Sequence, residues 1–202
     1  SGGHSHIIEV LDYDRFRLLG HTRDDAAGEA FDKVARALGL PYPGGPELEK
    51  LAFEGDPMKY PFHSALNSSA EEPDFSFSGI KTAVVNLMHN AAQKGETLSK
   101  ADIAASFQRA VCDTLTLKAV HAAKEHGFNT LALAGGVSAN RALRSSLARA
   151  CEEQGIRFCC PDFRYCTDNA AMIACAGHYA LMAGELSGLD LNAAPELPLV
   201  QR

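Results

Sequence analysis

The chain has 202 residues, 46% hydrophobic and 22% charged, which is enough for one sizeable domain or two small lobes with a real core. Its net charge of −6 argues against a protein that binds nucleic acid over a broadly basic surface, although a local arginine or lysine patch stays open. No apolar run approaches the roughly 20 residues of a membrane span and no signal peptide is visible, so we predict no membrane partner. The six cysteines form no C-x-x-C pair, which favours reduced thiols in the cytoplasm.

The first half of the chain is predicted as a β-hairpin followed by helices. Alternating apolar and polar residues predict the hairpin over 1–24, and helical spacing follows over 25–38. Either Asp24 or Asp25 can cap that helix, and Gly39 ends it. The predicted elements are strands His6–Leu11 and Phe16–Leu19, a helix Asp25–Leu38, an irregular Pro41–Pro46 run, and helices Pro46–Phe53, Ser78–Gln93 (capped by Ser78) and Ser99–His126.

The second half is predicted as strand, glycine turn, helix, strand, loop and helix. The apolar run Phe128–Ala134 predicts a buried strand, which Gly135-Gly136 turns into the next helix. This order is typical of an α/β unit with a short parallel strand pair. The remaining predicted elements are a helix Ser138–Gln154, a strand Ile156–Cys160, a loop Pro161–Thr167 and a helix Thr167–Met182. The chain then divides into a hairpin with a glycine loop (1–24), a helical part (25–127), a nucleotide-binding part (128–184) and a tail (185–202).

Three glycine-containing turns are candidate anion-binding sites, namely Ser1-Gly2-Gly3-His4, Gly44-Gly45 and Gly135-Gly136. Glycine lets the backbone approach a ligand closely and adopt positive φ, so that N–H groups can point at an anion. The third turn would also place a helix N-terminus at the end of a strand, a common phosphate position. A single Gly-Gly pair is more often an ordinary turn. Three of them in one α/β chain favour a nucleotide site, although no Walker or dinucleotide fingerprint is present.

Two aspartates are candidate ligands. Asp32 precedes Arg36 by four residues, a spacing that fits an exposed ion pair, or its carboxylate can accept the hydroxyls of a ribose. Asp168 stands at the predicted start of the last helix, where an acid is usually an N-cap. It could instead be a hard oxygen ligand of a divalent metal. The histidines show no metal-ligand spacing.

Six segments carry a resemblance to a known family: SGGH (Ser1–His4), DDAAGEAFDKVARALGLPYPGGP (Asp24–Pro46), FSFSGIKTAV (Phe75–Val84), ADIAASFQ (Ala101–Gln108), LALAGGVSANRALR (Leu131–Arg144) and CTDNAAMIA (Cys166–Ala174). In this order they resemble the bacterial TsaD family, also called Gcp or YgjD. The resemblance implies an α/β actin/Hsp70/sugar-kinase (ASKHA) fold. It also implies a tRNA N6-adenosine threonylcarbamoyltransferase, an acyltransferase that makes the t6A modification. Such an enzyme moves threonylcarbamoyl from threonylcarbamoyl-AMP to N6 of the adenosine beside the anticodon, in tRNAs that read codons beginning with A.

The resemblance also implies roles for single residues. The loop Ser1–His4 resembles the one that contacts the phosphate and acyl part of the adenylate. Asp32 resembles a ribose-binding acid, and Asp168 a carboxylate ligand of a divalent metal, iron or zinc. No catalytic residue or general base is indicated. The implied substrate-binding residues are Ser1, Gly2, Gly3, His4, Asp32, Gly45, Gly135, Gly136 and Asn140.

The sequence departs from the family in one respect, because it lacks the upstream H-x-x-x-H pair that supplies two metal-ligating histidines. It also begins where the family's SGGH string begins. We therefore expect the C-terminal portion of the enzyme, with both histidines in an absent N-terminal lobe and with the isolated fragment inactive. The partners that the resemblance implies are threonylcarbamoyl-AMP, tRNA, a TsaB-like paralogue and a TsaE-like ATPase.

Other function classes account for parts of this sequence. A sugar kinase or ATPase of the same fold would explain the glycine turns but not the specific strings, since fold alone does not decide function. A non-catalytic nucleotide-binding or docking lobe would fit a fragment. A metalloprotease is not supported, because the sequence contains no H-E-x-x-H.

Overall fold

The structure, a computed structural model, describes residues 3–63 and 65–194. Within them no helix is both long and apolar enough to cross a lipid bilayer. The elements in chain order are β1 (His6–Val10), β2 (Phe16–His21), α1 (Ala27–Ala37), α2 (Gly44–Ala52), α3 (Ala65–Ser68), α4 (Ser78–Lys94), α5 (Lys100–Glu125), β3 (Thr130–Ala132), a 3₁₀ helix (Gly136–Ala139), α6 (Arg141–Glu153), β4 (Arg157–Cys159), a 3₁₀ helix (Phe163–Tyr165) and α7 (Ala170–Met182). The prediction of a hairpin, then helices, then a parallel strand pair is confirmed.

The hairpin is antiparallel and carries a bulge between Ile7 and Ile8. Its second strand continues to His21, beyond the predicted end at Leu19. The added residues Gly20 and His21 pair with Ile7 and His6 of β1. The His21 carbonyl also accepts a hydrogen bond from the amide of the distant Phe75 at 2.9 Å. A pairing between residues so far apart in the sequence leaves no local pattern from which it could be predicted.

The predicted helix caps at Asp24 and Ser78 are wrong. Asp24 does not cap α1; its Oδ1 accepts hydrogen bonds from the amides of Phe77 (2.9 Å) and Ser78 (3.0 Å). Ser78 is therefore the first residue of α4 rather than its cap, and the capping carboxylate comes from another part of the chain. Gly39 ends α1 with a φ of 78°, as predicted.

Asp25 does not cap α1 either, and it joins two helices instead. Its Oδ1 contacts Lys33 Nζ of α1 and its Oδ2 contacts Lys81 Nζ of α4, both at 2.7 Å. Burial by itself would raise the pKa of this carboxyl, but the hydrogen bonds from the two ammonium groups outweigh it and hold the pKa at about 2. The first amide of α1, that of Ala27, is bound by Ser5 Oγ at 3.0 Å.

Two apolar clusters form the core, and α5 contributes to both. The first lies among α1, α2, α4 and the first half of α5, where the rings of Phe31 and Phe107 pack edge to face at 5.2 Å. The second lies between the later part of α5, α6 and the β3–β4 pair, and includes Val120, Leu143 and Leu147. The helical part and the part predicted to bind nucleotide thus share one long helix.

The strands β3 and β4 are parallel and in register from Thr130 opposite Arg157 to Ala132 opposite Cys159. The prediction of a buried strand is wrong, because Ala132 and Ala134 are exposed. Leu131 and Leu133, which alternate with them, pack on the second cluster, as does Phe128 at the start of the predicted strand. In the part of the chain that the structure describes, α5 and α6 cover one face of this two-stranded sheet and the other face is open.

Four helices begin two or three residues from their predicted starts, and the first of them, α1, begins at Ala27 rather than Asp25. α2 begins at Gly44, inside the run predicted as irregular, and α6 and α7 begin later than expected, at Arg141 and Ala170. Each start coincides with a side-chain oxygen that binds an amide of the first turn. These oxygens belong to Asp32 for α2, Asn140 for α6 and Asn169 for α7.

Candidate functional site

The first glycine turn lies beside the start of α1. Ser1 and Gly2 lie outside the described residues, while Gly3 and His4 are exposed and lead directly into β1. Ser5, the next residue, binds the Ala27 amide of α1 through Oγ at 3.0 Å and the Thr22 amide through its carbonyl at 2.9 Å. The exposed end of the loop is therefore fixed at the N-terminus of α1.

The second glycine turn is the first turn of α2, and Asp32 caps it. Asp32 Oδ1 accepts hydrogen bonds from the amides of Gly44 (2.9 Å) and Gly45 (3.3 Å). The ion pair with Arg36 that the spacing allows is not formed, and Asp32 has no salt bridge among the described residues. Within the same residues no hydrogen bond is made by Asp32 Oδ2, which leaves one carboxylate oxygen for a ligand.

Gly44 and Gly45 have different surroundings. A Cβ on Gly44 would lie 2.5 Å from the Cβ of Ala35 and 2.9 Å from the Cα of Asp32, so only glycine fits between α2 and α1 there. A Cβ on Gly45 would meet nothing within 4 Å. Beside this turn a cavity of about 400 Å³ is lined by Asp32, Lys33, Arg36, Tyr42 and neighbouring residues. Gly44 therefore serves packing, while Asp32 and Gly45 border open space.

The third glycine turn joins β3 to a 3₁₀ helix rather than directly to an α-helix. Gly135 has a φ of 87°, a backbone conformation that residues other than glycine rarely adopt. Asn140 then caps α6, its Oδ1 accepting from the Leu143 amide at 2.9 Å. Its Nδ2 donates to Gln108 Oε1 of α5 at 2.8 Å. The side chain predicted to bind nucleotide is thus held in place from both ends, and Gln108 is a supporting residue that the sequence did not indicate.

The described parts of the three turns lie around α1. Ala27 and Asp32, which meet the first and second turns, are about 7.5 Å apart along the helix axis. The 3₁₀ helix that follows Gly135 contacts α1, and its Val137 packs against the first core cluster. A further link runs from α2 to α6, where Glu49 Oε1 accepts a hydrogen bond from the Arg141 amide at 2.6 Å. The structure therefore brings these turns onto one helix.

Arg144 connects the third turn to the loop before Asp168, and sequence reasoning missed it. Its guanidinium donates to the carbonyl of Ser138, just after Gly135-Gly136, and to the carbonyl of Pro161 at 2.7 Å. It also contacts the buried Cys166 Sγ at 3.0 Å. The signal in the sequence was its position in the first turn of α6, where an arginine can reach back to the preceding turn.

Asp168 does not belong to the group of residues around α1. It is exposed and precedes the N-cap Asn169, whose Oδ1 binds the Met172 amide at 3.0 Å, so the expectation that Asp168 starts the helix is wrong. Within the described ranges no group of three or more histidine, cysteine, aspartate or glutamate side chains could hold a metal ion. These residues do not fit a complete metal centre, since Asp168 alone offers a single carboxylate.

The sequence of this chain matches a known protein family. Residues 1–175 match the family model described as TsaD: tRNA N6-adenosine threonylcarbamoyltransferase. The chain belongs to the TsaD family. The resemblance seen in the six strings is thereby confirmed, including those that contain Asp32, Asn140 and Asp168.

Curated members of the TsaD family match this chain over all or nearly all of its length. The tRNA N6-adenosine threonylcarbamoyltransferase of Caldicellulosiruptor saccharolyticus is 50% identical over 202 residues, which are 100% of this chain and 59% of the relative. The protein of the same name from Moorella thermoacetica is 52% identical over 199 residues, 98% of this chain and 58% of the relative. The chain therefore spans about 59% of the length of the curated relatives it matches.

Among solved structures, the chain is similar in fold to HypF from T. kodakarensis. The TM-score is 0.59 at 22% identity, and the match covers 81% of this chain and 21% of that one. The TM-score supports the α/β fold, whereas an identity this low carries no information about activity.

Proposed function

We propose that this chain forms the adenylate-binding part of a tRNA N6-adenosine threonylcarbamoyltransferase with an ASKHA fold. Two observations together support the proposal, namely membership of the TsaD family and the arrangement of the glycine turns. The match to the TsaD family covers residues 1–175, and the turns that the resemblance assigns to the adenylate lie around a single helix, α1. An acyl-adenylate has a ribose, a phosphate and an acyl group, and each needs its own contacts.

Each turn has a part in holding threonylcarbamoyl-AMP. Oδ2 of Asp32, beside the cavity at the start of α2, accepts the ribose hydroxyls, and the open backbone at Gly45 allows the nucleoside to approach. The loop from Ser1 to His4 takes the phosphate and acyl group through its amides. Gly135 and Gly136 supply backbone contacts at the far side, where Asn140 is oriented by Gln108.

The chemistry is attack of an amine on an activated carbonyl. The N6 amine of the tRNA adenosine forms a C–N bond to the carbonyl carbon, the bond from that carbon to the phosphate oxygen breaks, and AMP leaves with the electron pair. The proton released from N6 passes to the departing phosphate or to water. Glycine-loop amides stabilise the charge that develops on the carbonyl oxygen and the phosphate. Because the mixed anhydride is already activated, positioning of the two substrates does more than a strong base, and we assign no general base.

The whole enzyme would also use a metal ion and protein partners. Iron or zinc as the metal, with Asp168 as one ligand and two histidines from outside this chain, follows from the resemblance, and we derive no step through it. The protein partners that fit the family are a TsaB-like paralogue and a TsaE-like ATPase, besides tRNA. A cytoplasmic location fits a tRNA substrate, and all six cysteines are free thiols.

Isothermal titration calorimetry on this chain tests the proposal. A stable analogue of threonylcarbamoyl-AMP should bind more tightly than ATP. Asp32→Asn should lose most of that affinity, because Asn keeps an oxygen for the Gly44 and Gly45 amides but replaces the other acceptor with a donor. Asp14→Asn, on the exposed hairpin turn, is the matched control and should bind like wild type.

Other outcomes identify the competing functions. Tighter binding of ATP, enhanced by a sugar, would overturn the proposal in favour of a kinase. No heat of binding with either nucleotide would overturn it in favour of a docking lobe. Thermal unfolding of each variant shows whether a lost affinity reflects lost folding.

A further inference from the structure

A second surface, outside the turns assigned to the adenylate, combines arginines with exposed aromatic rings. We call it the arginine–aromatic surface, and it consists of Arg141, Phe163, Arg164 and Tyr165. Phe163 is 52% exposed and Tyr165 is 43% exposed. Arg141 is exposed and the Arg164 side chain is 72% exposed.

The rings in this surface are held in place from below. The Arg144 guanidinium lies 4.0 Å from the centre of the Phe163 ring and is itself fixed by the carbonyls of Ser138 and Pro161. Phe163 therefore has a cation against one face and more than half of its surface open to solvent. A ring held rigidly with an exposed face is suited to stack a flat ligand.

Positive charge surrounds the two rings. The Arg141 guanidinium lies 6.0 Å from the centre of the Phe163 ring, and that of Arg164 lies 4.7 Å from the centre of the Tyr165 ring. Of the nearby acids, Glu49 binds the Arg141 amide, and Asp162 binds the Arg164 amide. Asp162 also forms an ion pair with the Arg164 guanidinium at 3.8 Å, but both side chains are largely exposed, so this pair is weak and an RNA phosphate can replace it. In a chain of net charge −6, this is a local basic region of the kind that anionic ligands need.

The position of the arginine–aromatic surface relates it to the candidate site. Arg144 ties it to Ser138, immediately after the Gly135-Gly136 turn. On the other side, Asn169 Nδ2 donates to the carbonyls of Tyr165 (3.4 Å) and Thr167 (2.9 Å), so the ring-bearing segment is attached to the residues that flank Asp168. The surface lies between the nucleotide turn and Asp168.

We propose that the arginine–aromatic surface binds unpaired nucleotides of an RNA loop. Bases stack on the open faces of Phe163 and Tyr165, and the phosphates between them pair with Arg141 and Arg164. Single-stranded loops are recognised by aromatic and guanidinium stacking together with phosphate contacts, which is the combination present here. An acidic peptide would use the arginines but would gain nothing from two exposed rings. The inference rests on the proposed function, since it places the RNA substrate beside the adenylate.

The test is fluorescence anisotropy of this chain at low salt with an RNA hairpin of anticodon-arm sequence. The hairpin with its unpaired loop should bind more tightly than the same RNA annealed to its complement. Phe163→Leu keeps an apolar side chain but removes the stacking face, and should weaken loop binding about tenfold. Arg164→Gln should weaken it and reduce the slope of log affinity against log salt by about one.

The matched control is Arg149→Gln, which removes an exposed arginine from α6 beyond the arginine–aromatic surface and should bind RNA like wild type. Unchanged RNA affinity in both Phe163→Leu and Arg164→Gln would overturn the inference. Equal affinity for the hairpin loop and for the annealed duplex would also overturn it. The same holds if poly-glutamate displaces the labelled RNA as well as unlabelled hairpin does. Both variants should bind the adenylate analogue normally. Loss of RNA binding with normal adenylate binding in the variants therefore separates this surface from the proposed function. If the wild-type chain bound the RNA loop but not the adenylate analogue, the proposed function would be rejected and the surface kept.

Discussion

The two described Gly-Gly turns share a sequence signal and differ in physical role. At Gly44 the backbone of α2 approaches α1 so closely that a Cβ would lie 2.5 Å from Ala35, and Asp32 binds the amides. At Gly135 the reason for glycine is a φ of 87°, and the next residue, Gly136, has no atom within 4 Å of where its Cβ would be. One turn is a packed helix start, and the other is an open bend after a strand.

This difference shows that a glycine pair indicates a special backbone requirement without saying which one. Close packing against α1 makes the first turn part of the core, so changes there should act on stability. At Gly136 the open third turn should tolerate a small side chain, so a change there should act on binding instead. Substitutions on the two sides separate these roles.

The largest effect is expected from Gly44→Ala. The new methyl group would overlap Ala35 and the backbone of Asp32, so α2 must move away from α1. We expect a loss of about 3 kcal/mol in the free energy of unfolding, measured by urea denaturation. Gly45→Ala, where a Cβ meets nothing within 4 Å, is the control. Equal stability of the two variants would contradict the close-packing interpretation.

The α1 side also depends on the Asp25 charge, which the open turn does not share. Because the folded pKa of Asp25 is about 2 and lies below its unfolded value, its ion pairs add stability above that value and lose it as the pH falls through the interval down to about 2. Asp25→Asn should therefore cost about 2 kcal/mol at neutral pH and progressively less in acid. Asp14→Asn is the control, and a cost that stays constant with pH would disprove this assignment.

On the side of the third turn, Asn140→Ala should have a smaller effect. It removes the α6 cap at the Leu143 amide and the partner of Gln108, for an expected cost of about 1 kcal/mol in chemical denaturation. Asn140→Asp keeps the capping oxygen and should recover most of the loss. If Asp proved no better than Ala, the cap would not be the stabilising contact.

The smallest effect on stability is expected from Gly136→Ala. Open space around the position limits the change to within about 0.5 kcal/mol, while a methyl group in the turn should weaken binding of the adenylate analogue. Thermal unfolding and calorimetry on the same sample separate the two. A clear loss of stability would show that Gly136 is packed like Gly44.

Elements with strong periodicity could be predicted from the sequence. The hairpin, α1 with Gly39 at its end, α4, α5 and the parallel β3–β4 pair follow from apolar spacing and glycine positions. Of the candidate site, the glycine turns and Asp32 were identified by residue type. Their adenylate roles stay predictions, since they come from the family resemblance.

Contacts between distant segments could not be predicted. Asp24 capping α4, Asp32 capping α2 and Gln108 orienting Asn140 all join elements whose proximity no local pattern encodes. The supporting role of Arg144 was missed for the same reason. The start of α2 depends on a cap from elsewhere in the chain, Asp32, whereas α6 and α7 are capped by Asn140 and Asn169, which directly precede them.

The central claim is that the three glycine turns around α1 bind one adenylate, and amide chemical shifts test it most directly. On titration of the isotope-labelled chain with a stable analogue of threonylcarbamoyl-AMP, the account predicts that the amides of Gly3, Gly45 and Gly136 shift together with a single saturation curve. Shifts confined to one turn, or to residues on α5 and α6 remote from α1, would contradict it.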